Sequence, residues 1–219
     1  MRAFFVAGTG TDLGKTHIAC ALLRAARARG LSVDAFKPVV SGLDPDAPEN
    51  SDPARLAAAM GRPDAWAEIS PRHYRAPLAP NLAARLEGET LAMTDLIASC
   101  RTWLNHRDVD LALIEGAGGV MSPMTDDATN LDLMTALNLP VLLVAGSYLG
   151  TASHLLTALE VLRAHGLTVA AIVVSESLDA PDLTQTVEML RSFERQTQIL
   201  VAPRDEAWNA DDLDHLLLG

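Results

Sequence analysis

The segment Gly8–Thr16, with the sequence GTGTDLGKT, carries the residue types that bind phosphate. Its glycines let the backbone curl so that successive N–H groups face one anion, and the N-terminus of a following helix adds a favourable dipole. Lys15 is spaced to reach the terminal phosphates of a nucleotide, and the Thr16 hydroxyl is spaced to ligate Mg²⁺. Thr9 stands where the strict motif has glycine. Because an apolar run precedes the segment and an amphipathic stretch follows it, the segment predicts a nucleoside triphosphate site.

A second candidate element is the apolar run Leu111–Ile114. The run ends in Glu115, and the glycine-rich turn Gly116–Gly119 follows it. A carboxylate at the carboxyl end of a buried parallel strand faces the crevice where such sheets bind ligands. Glu115 is therefore a candidate Mg²⁺ ligand beside Thr16. The alternative is an acidic residue that only caps the next helix.

Lys37 ends another apolar run, in the segment Phe36–Gly42 with the sequence FKPVVSG. At the carboxyl end of a parallel strand, its ammonium group would point into the same crevice. A solvated surface lysine is the alternative. Ser51 and Asp52 begin a helical pattern, so Asp52 is either a further carboxylate for Mg²⁺ or part of a helix N-cap. Spacing alone leaves both alternatives open.

These candidates lie at the ends of short apolar runs, which alternate with amphipathic stretches. Nearly continuous apolar runs are typical of strands buried on both faces, and they predict strands at 2–7, 33–37, 111–115, 141–145, 169–174 and 198–201. Helical periodicity predicts helices at 15–29, 52–60, 93–105, 130–137, 152–165, 182–195 and 211–218. The Pro-rich stretches 44–53 and 71–80 predict loops above the sheet. The alternation indicates an α/β fold with a doubly wound, mostly parallel sheet and helices on both faces, like that of P-loop NTPases.

Length and composition limit the function classes. The 219 residues predict one domain, 1–219, and 28 acidic against 17 basic residues give a net charge of -11. Net repulsion argues against nucleic-acid or anionic-membrane partners. The apolar runs are too short for a membrane span or a signal peptide, which predicts a cytoplasmic protein. Cys20 and Cys100 lie in apolar helical patterns, which predicts that both are reduced residues of the core.

Taken together, the motifs resemble those of the dethiobiotin synthetase family. The motifs that carry this resemblance are the loop Gly8–Thr16, Lys37-Pro38-Val39-x-Ser41-Gly42, Glu115-Gly116-Ala117-Gly118-Gly119, and Leu139-Pro140-Val141 leading to Leu149-Gly150-Thr151. Tyr74, Pro77 and Pro80 also fit a Y-x-x-P-x-x-P stretch of that family. The resemblance extends from residue 4 to about residue 175 and is weak in the last forty residues.

The resemblance implies an ATP-dependent cyclo-ligase of biotin biosynthesis that acts as a homodimer. In that family, 7,8-diaminononanoate (7,8-diaminopelargonate) reacts with CO₂ to form a carbamate. ATP then phosphorylates the carbamate to a carbamic–phosphoric anhydride. The second amine closes the ureido ring, which gives dethiobiotin, ADP and phosphate. Mg²⁺ is the implied cofactor and ATP the co-substrate.

The resemblance also assigns roles by position. The implied catalytic residues are Lys37, Lys15 and Thr11, and the implied Mg²⁺ ligands are Thr16, Asp52 and Glu115. The implied nucleotide contacts are Asp12, Leu13, Gly14, Lys15, Thr16, His17, Asp52, Glu115, Gly116, Ala117, Gly118, Ser175, Glu176 and Pro203. The implied substrate contacts are Thr11, Lys37, Ser41, Gly118 and, from a helix N-terminus of the partner subunit, Gly150, Thr151, Ala152 and Ser153.

The sequence departs from the family pattern at the position expected to recognise the base. Ser175-Glu176 stands where Asn-Asp is common in the family, and the asparagine there hydrogen-bonds adenine. One such hydrogen bond contributes about 0.5–1.5 kcal/mol, so its loss would weaken the preference for adenine without abolishing the use of ATP. The choice among ATP, CTP and several nucleotides stays open.

Three alternatives share parts of this motif set. Cobyrinate and cobyric acid amide synthases need a glutaminase domain, for which 219 residues leave no room. A ParA- or MinD-like switch ATPase carries a signature lysine where this sequence has Gly10, and the acidic segment 210–219 is unlike a membrane-binding tail. The third alternative is a nucleotide-binding scaffold without catalysis, which only a turnover measurement distinguishes from an enzyme.

Overall fold

A computed structural model describes residues 1–178, 180–204 and 216. The strands are β1 (Arg2–Gly8), β2 (Val33–Phe36), β3 (Val40–Ser41), β4 (His73–Tyr74), β5 (Leu111–Glu115), β6 (Val141–Gly146), β7 (Val169–Ser175) and β8 (Ile199–Ala202). The α-helices are α1 (Lys15–Ala28), α2 (Asp52–Ala59), α3 (Trp66–Ile69), α4 (Pro80–Leu86), α5 (Met93–Asn105), α6 (Asn130–Leu137), α7 (Thr151–Ala164) and α8 (Leu183–Phe193). A 3₁₀ turn spans Pro48–Asn50.

Six of the strands form one parallel sheet in the order β2-β5-β1-β6-β7-β8. The chain leaves β1 toward β2 on one side, and β6 to β8 extend the sheet on the other side. The strand order therefore reverses next to β1, the point at which open α/β sheets bind ligands beyond the carboxyl ends of their strands. In the β1–β5 pair Val6 lies opposite Glu115, which sets the acidic end of β5 against the end of β1.

The sheet is buried on both faces because each strand is apolar at nearly every position. In β1, Phe4 and Val6 point into one core, and Phe5 and Ala7 point into the other, as the period of two in a strand requires. Residues of α1 and α2 cover the first face, and residues of α4 to α8 cover the second. The predicted doubly wound α/β fold with helices on both faces is therefore confirmed.

Local capping explains where several helices begin. The Ser51 hydroxyl accepts a hydrogen bond from the Ala54 N–H at the start of α2. Thr129 and Asp132 form a reciprocal capping box at the start of α6. The Asp182 carboxylate accepts from the Gln185 N–H, so α8 begins after Asp182, which the periodicity had placed inside the helix.

The predicted strands agree with the observed ones to within about one residue at each end. Lys37 was predicted to be in β2 but follows it directly. The Pro-rich stretches are not loops throughout, because β3 pairs in parallel with β4 between Val40–Ser41 and His73–Tyr74, and the 3₁₀ turn lies in the first stretch. The short helices α3 and α4 were not predicted, because four and seven residues are too few for periodicity to detect.

Two further predictions concern the cysteines and the last helix. Cys20 and Cys100 are buried and unpaired, as predicted. Burial raises the pKa of Cys20 to about 11 and that of Cys100 to about 12. The predicted helix 211–218 lies outside the described residues except for Leu216, which is buried in the core that α1 and α2 cover.

Candidate active site

A cavity of about 620 Å³ lies at the carboxyl ends of the central strands, where the phosphate-binding loop, Lys37 and the turn after β5 meet. The residues that line it are Thr11, Asp12, Leu13, Gly14, Lys15, Thr16, His17, Lys37, Val40, Ser41, Asp52, Arg55, Ala117, Gly118, Ser175, Glu176, Ser177, Leu178, Pro203 and Arg204. Most of the predicted nucleotide and substrate contacts are among them. Glu115 is fully buried behind the wall and touches the cavity through its hydrogen-bond partners.

The loop between β1 and α1 wraps around the Lys15 side chain. The Lys15 ammonium donates a hydrogen bond of 2.9 Å to the Gly10 carbonyl. Gly14 has a φ of +89°, and a Cβ there would lie 2.8 Å from the Ser175 hydroxyl oxygen. Both the backbone conformation and the close approach of β7 therefore require glycine. The result is the curled backbone and helix N-terminus that bind an anion.

Four side chains from four segments form one hydrogen-bonded cluster below the loop. The Thr16 hydroxyl donates to Oε1 of Glu115 at 2.7 Å. The Lys37 ammonium donates to Oδ2 of Asp52 at 2.7 Å and also to Oε1 of Glu115. Lys37 is only 3% exposed and Glu115 only 1%. The structure thus excludes two of the open alternatives. Lys37 is not a solvated surface lysine, and Glu115 does not merely cap a helix.

Asp52 also has a settled position. Ser51 supplies the cap of α2, and Asp52 is the first residue of the helix, so its carboxylate is available to Lys37. Burial alone would raise the pKa of Asp52, but Lys37 and the Thr16 hydroxyl outweigh it and hold that pKa below its usual value. Ser51 is therefore the N-cap, and Asp52 as a Mg²⁺ ligand stays a prediction.

The pKa values of the two lysines shift in opposite directions. Burial alone would lower the pKa of Lys37, but the Glu115 and Asp52 carboxylates outweigh it and raise that pKa above its usual value. Burial and the charge of Lys37 lower the pKa of Lys15. Two lysines close enough to repel each other define a place that favours an anion between them.

The residues predicted to hold Mg²⁺ fit a hard cation in type and position. Thr16, Asp52 and Glu115 share hydrogen bonds within one cluster, and Oε2 of Glu115 is buried with no partner among the described residues. Two carboxylates, a hydroxyl and water are the ligands that Mg²⁺ takes beside a nucleotide. Across residues 1–178, 180–204 and 216 there is no cluster of three or more His, Cys, Asp or Glu side chains suited to a metal.

The turn after β5 is fastened to the phosphate-binding loop. A Cβ at Gly119 would lie 3.2 Å from the backbone of Gly10, so the two glycine-rich segments pack backbone to backbone. The buried Asn130 amide donates to the Ala117 and Gly119 carbonyls and holds the turn in place. Sequence reasoning missed Asn130, whose only signal was an amide side chain at the first position of a predicted helix. Of the predicted contacts in this turn, Ala117 and Gly118 line the cavity, and Gly116 does not.

The predicted substrate contacts fall into two groups. Thr11, Lys37, Ser41 and Gly118 line the cavity, and the Ser41 hydroxyl donates to the Leu78 carbonyl at 2.6 Å. The segment Gly150–Ser153 at the start of α7 does not line this cavity. Thr151 is buried there, and its hydroxyl donates to the Gly146 carbonyl.

The far end of the cavity is built by β7, β8 and the residues after them. The Arg204 N–H donates to Oε2 of Glu176 at 2.9 Å, and its guanidinium donates to the Glu176 carbonyl. This pair holds Pro203 at the cavity wall beside Ser175. Five other lining residues carry no signal in the sequence, namely Val40, Arg55, Ser177, Leu178 and Arg204.

Comparison with known proteins decides the family. A family profile described as an AAA domain matches residues 2–210. An ATP-dependent dethiobiotin synthetase BioD of Caulobacter vibrioides (strain NA1000 / CB15N) is 77% identical over 219 residues, which is all of both chains. The chain belongs to the dethiobiotin synthetase family. Relatives of the same name from Caulobacter sp. (strain K31) and Phenylobacterium zucineum are 60% and 55% identical, covering 99% and 95% of this chain and 95% and 92% of their own lengths.

Membership of the dethiobiotin synthetase family makes the chain an ATP-dependent enzyme of the ligase class. The 77% match covers the whole chain, including the last forty residues, where the motif resemblance is weak. This membership sets aside the amide synthase and switch ATPase alternatives.

Solved structures agree on the fold. A chain of the MinC:MinD cell division protein complex from Aquifex aeolicus superposes with a TM-score of 0.55 at 10% identity, covering 94% of this chain and 82% of that chain. A nucleotide-binding protein in complex with ADP from Archaeoglobus fulgidus gives 0.52 at 14% identity, covering 99% of this chain and 88% of that chain. At such identities the likeness concerns the fold alone. None of the helices in the described residues has the length and apolar character needed to cross a membrane.

Proposed function

We propose that this enzyme carboxylates 7,8-diaminononanoate with CO₂ in an MgATP-dependent reaction and closes the ureido ring to give dethiobiotin, ADP and phosphate. The observation that carries the proposal is the buried Lys37 ammonium, held by Asp52 and Glu115 in the same cavity as the phosphate-binding loop. A nucleotide-binding protein needs the loop, but it does not need a second buried lysine. The relatives' printed name supports the same reaction.

The reaction proceeds in three steps. One substrate amine attacks CO₂ and loses a proton, which gives a carbamate. A carbamate oxygen then attacks the γ-phosphorus of ATP, and the bond to ADP breaks. The second amine attacks the carbonyl carbon of the resulting anhydride, phosphate leaves with the bonding electron pair, and the amine loses its proton. Ring closure is intramolecular, so positioning contributes much of the rate, with effective molarities of about 10⁵ M or more.

The residues around the cavity match those charges. Lys15 and Lys37 neutralise the negative charge shared by the phosphates and the carbamate as phosphate transfer proceeds. Thr11 and Ser41 line the same cavity as Lys37 and supply hydroxyl groups for the substrate nitrogen and carbamate. These roles need no acid–base dyad, because the carbamate becomes reactive through its phosphate leaving group.

We propose that Thr16, Asp52 and Glu115 hold Mg²⁺ directly or through water. The buried Oε2 of Glu115, which has no partner among the described residues, supports this assignment. Bound Mg²⁺ supplies positive charge to the phosphate oxygens of the nucleotide. Asp12, Leu13, Gly14 and His17, together with Ala117, Ser175, Glu176 and Pro203, line the cavity and are the proposed nucleotide contacts. Gly116 does not line the cavity, and we keep it as a proposed nucleotide contact only because it lies next to Ala117 in the same turn.

A homodimer explains the second group of substrate contacts. Gly150–Ser153 starts helix α7 outside the cavity of its own subunit, and Leu149 beside it is 91% exposed. In a dimer this helix N-terminus can bind the substrate carboxylate at the partner's cavity. Light scattering measures the molar mass of the enzyme in solution and so tests whether it is a dimer. Mixing an inactive Lys37→Ala subunit with an inactive Ser153→Asp subunit then tests the sharing, because one intact composite site restores about a quarter of the activity.

We also infer that residues 1–219 form a single domain and that the enzyme acts in the cytoplasm. One sheet extends from Arg2 to Ala202, with a core on each face. The two buried thiols Cys20 and Cys100 suit a reducing compartment. Differential scanning calorimetry tests the first inference, since a single domain unfolds in one transition.

The experiment that tests the function measures phosphate release with MgATP, bicarbonate and the diamine, and identifies the organic product by mass spectrometry. We expect phosphate release to stop when any one reactant is omitted, and the product to be heavier than the diamine by one carbonyl group less two hydrogens. Diamine-independent hydrolysis would contradict the proposal. Replacing ATP with CTP in the same assay measures the base preference.

A further inference from the structure

Arg55 is a cation in the cavity wall that the reaction above does not use. It lies on α2 three residues after Asp52, hence on the same face of the helix, and it lines the cavity. The residue is exposed, and its guanidinium forms no hydrogen bond or ion pair with the described part of the chain. Arg204, the other arginine of the wall, is held by Glu176. Arg55 is thus the wall arginine that has its donors available for a ligand.

The charge around the cavity explains why such a residue is needed. Lys15 and Lys37 face four carboxylates that line the cavity or bond to its lining residues, which are Asp12, Asp52, Glu115 and Glu176. The ligand is itself a polyanion, and the chain has a net charge of -11. The four carboxylates therefore outnumber the two lysines by two. Arg55 and Arg204 equal that difference, and bound Mg²⁺ would add positive charge for the phosphates.

His17 is a further ionisable residue of the cavity wall. It follows Thr16 in the first turn of α1 and lines the same cavity as Arg55. Burial, followed by the charges of Arg55, Arg24 and Arg204, lowers the pKa of His17. Arg55 on α2 and the first turn of α1, where the loop presents its N–H groups, thus border one cavity.

We propose that Arg55 is a nucleotide-binding residue that donates from α2 to the phosphates of the bound nucleotide. This inference rests on the proposed function, because it assigns a further contact to the same nucleotide site. Guanidinium groups bind phosphate through two parallel hydrogen bonds, which are stronger than those between neutral groups. A nucleotide held by its phosphates in this way depends less on the base, which suits Ser175 at the base end of the cavity.

The test measures the binding of ADP and of inorganic tripolyphosphate by isothermal titration calorimetry. The proteins compared are the wild type, Arg55→Ala, Arg55→Lys and the control Arg24→Ala. Arg24 is also exposed and acts on His17 by its charge, but it does not line the cavity. We expect Arg55→Ala to weaken both ligands about tenfold, Arg55→Lys to weaken them less, and Arg24→Ala to change them less than about twofold.

Each other outcome has a definite meaning. Equal Kd values for Arg55→Ala and Arg24→Ala would overturn the role of Arg55 and leave the proposed function intact. Weaker binding of ADP alone, with tripolyphosphate unchanged, would overturn the phosphate contact. If the wild type bound neither ligand, both the inference and the proposed function would fail. Because Arg55 is exposed, the melting temperature of Arg55→Ala should equal that of the wild type, which separates a binding effect from misfolding.

Discussion

The cavity has a floor and a rim that are built in different ways. The floor, made of Lys15, Thr16, Lys37 and Glu115, comes from three parts of the chain, is buried, and is joined by hydrogen bonds between those parts. The rim, made of 175–178 and 203–204, is joined by the Glu176–Arg204 pair, and Ser177 exchanges two hydrogen bonds with Ser147. A change in the floor must disturb several buried groups at once, whereas none of the rim residues is buried. We therefore propose that the floor carries the chemistry and that the rim sets the nucleotide preference.

The largest effect is expected from Lys15→Ala. Lys15 lies within the curl of the phosphate-binding loop, so its loss removes positive charge in both the bound state and the transition state. We expect nucleotide affinity to fall about a hundredfold and turnover about a thousandfold. Calorimetry with ADP and the phosphate-release assay measure the two quantities. Wild-type affinity in this variant would contradict the role given to Lys15.

Lys37→Ala should separate chemistry from binding. We expect turnover to fall about 10²–10³-fold while the Kd for ADP changes only a few-fold, because Lys37 serves the transferring group more than the loop. Removing the ammonium also leaves the Glu115 carboxylate buried without its cationic partner, with only the Thr16 hydroxyl bonded to it, which costs about 3–5 kcal/mol of stability. Urea unfolding measures this cost, and assays are run below the melting temperature of the variant. An active Lys37→Ala enzyme would contradict the floor's role in catalysis.

Gly14→Ala tests the contact between the phosphate-binding loop, which carries Lys15 of the floor, and Ser175 of the rim. The methyl group meets both a positive φ and the Ser175 hydroxyl at 2.8 Å, so we expect weaker ADP binding and a loss of about 2 kcal/mol. Gly88→Ala is the matched control, since Gly88 has a similar φ of +78° with no heavy atom within 4 Å of an added Cβ among the described residues. Urea unfolding compares the two variants. Equal losses would mean that the approach of Ser175 does not matter.

The acid dependence of stability tests the charge pairing of Asp52. Its pKa is below the usual value, so the carboxylate stabilises the folded protein above the unfolded pKa of about 4 and loses that contribution as pH falls through the folded pKa. Because Asp52 is partly exposed, the contribution is at most about 1 kcal/mol. We expect the wild type to exceed Asp52→Asn in unfolding free energy at pH 7 and the difference to shrink toward pH 3. A difference that is constant with pH would contradict the pairing.

The smallest effect is expected at the rim. Ser175→Asn adds an amide to the part of the cavity wall where we propose that the base binds, and one hydrogen bond contributes about 0.5–1.5 kcal/mol. We expect the preference for ATP over CTP, measured as the ratio of kcat/KM values, to rise by about tenfold at most, with little change in kcat for ATP. Ser177→Asn, at another lining residue, is the control. An effect larger than a hundredfold would show that the rim also controls chemistry.

The sequence predicted the floor more fully than the rim, and the reason is physical. The phosphate-binding loop, Lys37 and Glu115 each stand at the end of an apolar run. Parallel strands bring their carboxyl ends to one edge of the sheet. Lys15, Lys37 and Glu115 can therefore be grouped from the order of runs and motifs along the chain. Arg55 and Arg204 sit on a helix face and after an edge strand, where an exposed arginine has no distinguishing pattern.

The small sheet of β3 and β4 shows a second limit. Its strands are two residues long and separated by more than thirty residues, so neither has a period that sequence analysis can detect. The position of Ser41 in the cavity depends on this pairing and on its bond to Leu78.

The sequence by itself determined the α/β class, the strands of the main sheet, the phosphate-binding loop and the family, because these depend on local periodicity and on short motifs. The tertiary structure decided that Lys37 and Glu115 are buried and that Lys37 pairs with Asp52 and Glu115, since burial and ion pairing arise only when distant segments meet. It also separated Gly150–Ser153 from the cavity and brought Arg55 to it. Long-range packing fixes such distances, and no local pattern encodes them.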